Sequence, residues 1–519
     1  LRAGSVAVAA VFLAPVVYVV WRAATLDGDL GDLIDEVRGP LWRTVQLAVL
    51  VSVATGIVGT GMAWLLVRTD VPLARLWRIL APLPLVFPSF VGAAAFLAGL
   101  APDGVIRQAL ELVGYHAPRR FRGLGASVIV LTLFTYPYVY LPVAARLAAL
   151  PPSLEESARL LGDRPARFFA RIVLPAVRGS VLGGMLIVLL YSLSEFGAVQ
   201  LLGFDTLTRV VYATRLADRA LSFTAATLLL VLAVLAIAIE RRVRGSLQHT
   251  ASAGMRRNRP VRLGRWRLPA LAGVVLVLLF ALAGPVAALL DWAWTGIRND
   301  RAPMDRLRTD LGDLIDPAWT TMWLGVVAAV LAVGAVVPVA TLAARYRSRL
   351  APAVNASVVA GFAVPGVVIA LSLAFWALNV PGFDRLYQTV PLLLTAYVVH
   401  FGAQALRSAE TAVAAVPRRA RESARLLGAS PLRRAVTVDL PLMRPGLVAG
   451  GGLVLLSTVK ELPATLLLSP IGMQTLATRV WSKFEEGFLA DAGMAALALL
   501  LASGVLTWLL VLRRADHLA

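Results

Sequence analysis

The stretch PPSLEESARLLGDRPARFFARIVLP at 151–175 and its counterpart VPRRARESARLLGASPLRRAVTVDLP at 416–441 decide how this chain is read. They share the heptamer ESARLLG, at 156–162 and 422–428, and each closes on Leu-Pro, at Leu174 and Pro175 and at Leu440 and Pro441. A second heptamer, DLGDLID, occurs at 29–35 and at 310–316. Two repeated heptamers in the same order signal duplication. Thr44 answers Thr321 and Pro88 answers Pro365 at a separation of 277, whereas Pro151 answers Pro417 and Glu195 answers Glu461 at 266. The first half therefore carries about eleven extra residues near 103–122. Both decisive stretches read as helix, turn, helix. In the first, Ser153 and Glu156 form a capping box, Gly162 suits a left-handed helix end and Pro165 suits the first turn of the next helix. The second keeps Gly428 and Pro431, with Ser430 placed to cap, but has no capping box at Arg419, so its first helix must start differently.

Outward from these loops the chain is apolar. Of its 519 residues 59% are hydrophobic and 15% charged, a balance that makes lipid the solvent for most side chains. The absence of Cys excludes disulfides, thiolate zinc sites, iron–sulfur clusters and thiol catalysis. His116, His249, His400 and His517 are too scattered to suggest a metal cluster, and the sequence leaves any metal site unknown. The formal charge of +20 does not point to nucleic acid, because the Arg lie between apolar blocks, as membrane topology requires.

A helix crosses the hydrocarbon in about 20 residues. Twelve segments qualify, at 4–20, 44–67, 79–101, 123–145, 179–202, 223–239, 268–290, 317–344, 352–378, 386–406, 445–468 and 492–512. The first could be mistaken for a signal peptide, but it lacks a clear cleavage site and the topology needs it. Arg68, Arg75 and Arg78, the Arg of 159–178 and 418–444, Arg345, Arg347, Arg349, Arg513 and Arg514 all fall on one side, which the positive-inside rule makes cytoplasmic, with both termini inside. Arg119, Arg120 and Arg122 dissent on the other side. The fold expected is an all-α polytopic membrane protein of about 12 transmembrane helices in two parallel six-helix repeats. Residues 1–240 form the first repeat with its loop at 151–175, and 268–519 the second with its loop at 417–441. Between them 241–267 carries nine Arg and no acid, and reads as a basic cytoplasmic linker facing anionic headgroups.

Charge enters only the fifth and eleventh spans, as Glu195 and as Lys460 with Glu461. An ionised carboxylate in hydrocarbon needs a polar cavity or a partner. Tyr191, Ser194, Glu195, Lys460 and Glu461 are therefore the candidates for lining a path. The paired carboxylates either attract a cation, for which hard oxygen ligands suit ferric ion, or brace helix breaks at Gly197 and Pro463. Pro82, Pro84, Pro88, Pro137, Pro142 and Pro365 kink other spans, either to let a channel move or only for packing. Neither Lys460 nor Lys483 follows a phosphate-binding Gly loop, so this chain binds no nucleotide of its own and the energy source is another polypeptide.

The pattern Glu156, Ala158, Gly162, Ile172, Leu174, Pro175, repeated as Glu422, Ala424, Gly428, Val438, Leu440, Pro441, resembles the EAA loop of permease subunits of binding-protein-dependent ABC importers. Ser157 and Ser423 stand where Ala is usual, a small-for-small exchange. SLSEFGAVQLLG from Ser192 and KELPATLLLSPIGMQTLATRVW from Lys460 resemble the fused permeases of ferric-iron importers over nearly the whole chain. The resemblance implies the type I ABC importer permease fold in a bacterial cytoplasmic (inner) membrane. It also implies two copies of a cytoplasmic ABC ATPase, carrying the ATP and Mg, seated on 151–175 and 417–441, and an extracytoplasmic binding protein that selects the substrate. Fused permeases for thiamine and aminoethylphosphonate share this pattern. Two rivals stay open on the residues alone: an ion-coupled secondary transporter using the intramembrane Glu, and a membrane scaffold that docks a cytosolic partner.

Overall fold

The protein, seen in a computed structural model, is described over residues 2–26, 30–116, 120–150, 169–245, 261–298, 311–346 and 348–509. The described chain is built of helices, as backbone immersed in lipid must be to bond its own polar groups. From the N-terminus, with the short helix Val105–Leu112 left unnumbered, these are α1 (Arg2–Thr25), α2 (Leu30–Arg68), α3 (Ala74–Leu80), α4 (Ser89–Gly99), α5 (Gly123–Thr135), α6 (Pro137–Ala148), α7 (Leu174–Ser194), α8 (Gly197–Leu201), α9 (Leu207–Thr214) and α10 (Arg219–Gly245). Then follow α11 (Arg267–Leu278), α12 (Gly284–Arg298), α13 (Ile315–Arg345), α14 (Ala351–Ala363), α15 (Gly366–Asn379), α16 (Val390–Ala415), α17 (Arg418–Leu426) and α18 (Pro431–Arg434). The chain continues as α19 (Leu440–Val459), α20 (Pro463–Leu468), α21 (Leu476–Glu485) and α22 (Leu489–Thr507).

Among the described residues nine helices are long and apolar enough to cross a membrane, and two bent pairs raise the number to eleven. The tenth expected span, 386–406, is the buried helix α16. The spans expected at 79–101 and 352–378, with kinks at their prolines, are bent sharply. Ala74–Val86 and Ser89–Gly99 meet at 101°, and Ala351–Phe362 and Gly366–Asn379 at 102°. The cause is proline: Pro88 and Pro365 both take extended backbone, with ψ 140° and 139°, and each begins a new helix.

The compact units cut the chain differently from its halves. One comprises Leu1–Asp35, Val210–Leu230 and Thr295–Ala519, the other Glu36–Arg209 and Val231–Trp294. The first is centred on α13, α16 and α19, with α1 packed on α13, α14 and α15. Phe12, 1% exposed, holds α1 there: Cβ atoms built on Gly402 and Gly361 would stand 2.5 and 3.2 Å from its ring. In the second unit α7 packs on α6 and α8 on α4, while the π-turn Leu279–Ala283 between α11 and α12 lies against α5. Thus the opening span of each sequence repeat packs into the unit built mainly from the other repeat. A parallel bridge between Thr69 and Val261 ties the end of the basic linker to the end of α2, supported by a bond from Leu263 N–H to Asp70 Oδ1 at 2.9 Å.

Candidate functional site

The second decisive loop folds as its sequence suggests. Pro417 starts α17 without a side-chain cap, which is the different beginning that Arg419 requires. Gly428 ends the helix at φ 78°, and the N–H of Ala429 reaches back to the carbonyl of Ala424 at 3.0 Å. Ser430 caps α18, its Oγ accepting from Arg433 N–H at 3.3 Å. Glu422 pairs with Arg418 at 2.8 Å, one turn away. Neither α17 nor α18 buries a residue, and Leu426, Leu427 and Leu432 are 89, 87 and 76% exposed. Ser423 and Ala424 lie on α17, and Leu440 and Pro441 open α19. Of the first loop, Glu156, Ser157, Ala158 and Gly162 lie outside the described residues. Leu174 and Pro175 open α7, as Leu440 and Pro441 open α19.

The charged spans break where the carboxylates sit. Helix α7 ends at Ser194 and α8 restarts at Gly197; α19 ends at Val459 and α20 restarts at Pro463. Glu195 Oε1 accepts the N–H of Ala198 at 2.9 Å, and Glu461 Oε1 accepts the N–H of Ala464 at 3.1 Å, so each carboxylate caps the restarted helix. The main-chain carbonyls are used as well, Glu195 O by Thr208 Oγ1 at 2.6 Å and Glu461 O by Thr465 Oγ1 at 2.9 Å. The two repeats differ around this shared frame. Ser89 Oγ lies 2.9 and 2.8 Å from the two oxygens of Glu195, which is 6% exposed. Its counterpart is Gly366, where a Cβ would come within 2.8 Å of Glu461 Oε1 and 3.5 Å of His400 Nε2. Tyr191 meets Tyr138 with ring centres 6.1 Å apart, whereas the counterparts Ser457 and Gln404 share a hydrogen bond of 3.0 Å. Ser194 is the last residue of α7, and Lys460 follows α19 with its N–H on Ser457 O at 3.2 Å. Among the described residues no three His, Asp or Glu side chains converge on a metal-holding point.

The profile of the family described as binding-protein-dependent transport system inner membrane component matches residues 55–245 and again 336–516. The chain belongs to this family. It is an ABC importer permease with two fused repeats, a transport component and not an enzyme. The Fe(3+)-transport system permease protein FbpB 2 of Haemophilus influenzae is 28% identical over 480 residues, 91% of this chain and 89% of that one. The molybdenum transport system permease protein ModB of Mycobacterium tuberculosis is 30% identical over 206 residues, 37% of this permease and 77% of the relative. The sulfate transport system permease protein CysT of Salmonella typhimurium is 28% identical over 156 residues, 30% of this permease and 55% of the relative.

Sequence reasoning missed several residues of the permease's polar frame. Ser89 escaped because a single Ser beside Pro88 gives no charge signal, although the repeat spacing that links it to Gly366 was available. Thr208 and Thr465 were also missed, since hydroxyls within spans usually bond their own helix. Asp439 was overlooked in the motif's variable position between Val438 and Leu440.

Proposed function

We propose that the permease carries ferric iron across a bacterial cytoplasmic membrane, driven by two copies of an ABC ATPase and supplied by an external binding protein. In this arrangement the ATP and Mg belong to the ATPase. The docking surfaces are 151–175 and 417–441, and both termini face the cytoplasm. The observation that carries the docking reading is α17 and α18, which expose Leu426, Leu427 and Leu432 beside Glu422 without burying a residue of their own. Hydrophobic residues on a charged element of this kind suit a partner's groove. The iron reading is supported by the likeness to FbpB 2 over nearly the full length of both chains.

In this reading Glu195 and Glu461 brace the breaks between α7 and α8 and between α19 and α20, and shifts of those short helices open and close the path. ATP binding drives transport by favouring one of two packings. An oxyanion cargo is the second reading, favoured by the partial matches to the molybdenum and sulfate permeases. Intramembrane carboxylates argue against it, because they repel anions.

The test is reconstitution of the purified complex in vesicles. A copurifying ATPase and uptake that requires ATP are expected, and an ion gradient that suffices without ATP overturns the ATP-driven reading. Competition by ferric iron but not by molybdate or sulfate supports iron, and the reverse pattern supports the oxyanion.

A further inference from the structure

The root of the second docking element holds an ion cluster that the docking reading does not use. Asp439, 7% exposed, is the last residue of the π-turn Ala435–Asp439. Its Oδ1 lies 3.1 Å from Arg345 Nη2 and 3.3 Å from Arg421 Nε, and its Oδ2 lies 3.8 Å from Arg434 Nε. The three Arg side chains, 12, 23 and 17% exposed, come from the C-terminal end of α13, from α17 and from α18. One carboxylate therefore joins three helices to the start of a fourth, α19.

The energetics make this cluster the tether. Because α17 and α18 bury no residue fully, apolar packing holds them only weakly to the membrane helices. Three guanidiniums crowded in a largely buried site repel one another unless the carboxylate stands between them. The π-turn recurs at Phe169–Val173, so both repeats widen the helix just before Leu-Pro. Proline explains the widening: its ring collides with the carbonyl four residues back, and the longer turn relieves the collision. The sequence of the first repeat differs at these places. Val173 occupies the place of Asp439 and Glu155 that of Arg421, while Arg68 matches Arg345.

We propose that Asp439 is the positioning residue through which movement of the second docking element reaches α13 and α19. The proposal rests on the docking reading.

The test is hydrogen–deuterium exchange on the full chain carrying Asp439→Asn, which keeps the volume and removes the charge. In the permease alone, exchange at 418–434 is expected to rise about tenfold as the tether opens. With the ATPase bound, wild type is expected to change exchange at the ends of α13 and α19 when ATP is added. The variant retains the ATPase but loses that response. Arg434→Gln added to Asp439→Asn removes one surplus cation and restores part of the protection. Arg421→Gln, which keeps the carboxylate, guards against a variant that does not fold and frees α17 first. Unchanged exchange at 418–434, or an intact ATP response in Asp439→Asn, overturns the proposal. A wild-type permease that retains no ATPase overturns the docking reading, and this proposal with it, while the exchange of the permease alone reports the tether separately.

Discussion

Ser89, at the first position of α4, lies within 2.9 Å of both carboxylate oxygens of Glu195, 106 positions later in the chain. The proline bend before α4 meets the break after α7 at this point. Removing the hydroxyl by Ser89→Ala leaves the buried carboxylate with one fewer donor, at a cost of about 1.5–3 kcal/mol for a bond to a charged group. Lower thermal stability in detergent and a larger proportional loss of uptake are expected, whereas unchanged values in both assays remove Ser89 from the frame.

The carboxylates themselves are tested by Glu195→Gln and Glu461→Gln. Gln retains an acceptor for the N–H of Ala198 or Ala464, so assembly and ATPase copurification are expected to survive while uptake falls. Undiminished uptake by the double variant contradicts a role for either carboxylate in the path.

Thr44 and Thr321 do the same work in the two repeats. Their hydroxyls accept from Leu207 N–H at 2.9 Å and Leu476 N–H at 2.8 Å, holding the starts of α9 and α21. Thr44→Val and Thr321→Val preserve shape but leave a buried donor unsatisfied, each costing about 1–3 kcal/mol. Calorimetry should find both destabilising; a neutral result at one position breaks the equivalence of the repeats there.

Docking of α1 depends on the absence of a side chain at Gly402. Gly402→Leu drives atoms into Phe12, which is too buried to move aside, and overpacking of this kind costs about 1–3 kcal/mol. Proteolysis should cut within 1–25 faster than in wild type, and an unaltered cleavage rate argues that α1 is held by other contacts.

The exposed Leu of the proposed second docking element provide the cleanest separation of stability from function. Leu426→Asp and Leu427→Asp lie on surface, where substitutions usually change stability by less than about 0.5 kcal/mol. The expected outcome is loss of ATPase copurification at wild-type thermal stability. Full retention of the ATPase by the double variant sets the docking face elsewhere.

Much of this protein is legible in its sequence. The apolar blocks locate the membrane helices because lipid permits only segments that satisfy their own backbone. Gly428 and Ser430 show the turn and the cap because φ and hydrogen-bonding demands are local. The repeat arithmetic paired Thr44 with Thr321, but the matching hydrogen bonds that they make to Leu207 and Leu476 came only from the structure. The bends at Pro88 and Pro365 were visible as prolines, but not as angles of 101° and 102°, because a proline removes a bond without choosing where the freed chain goes.

By itself, the sequence determined that the chain is duplicated, helical and membrane-bound, and where its charges interrupt the spans. These properties follow from composition, periodicity and short-range backbone chemistry. Only the tertiary structure decided that α1 packs on α13, α14 and α15, that Ser89 serves Glu195 while Gly366 stands in its place beside Glu461, and that Asp439 gathers Arg345, Arg421 and Arg434. Each joins residues far apart in the chain, and their pairing depends on how helix faces of nearly uniform apolarity pack. Such faces carry no local pattern that names a partner.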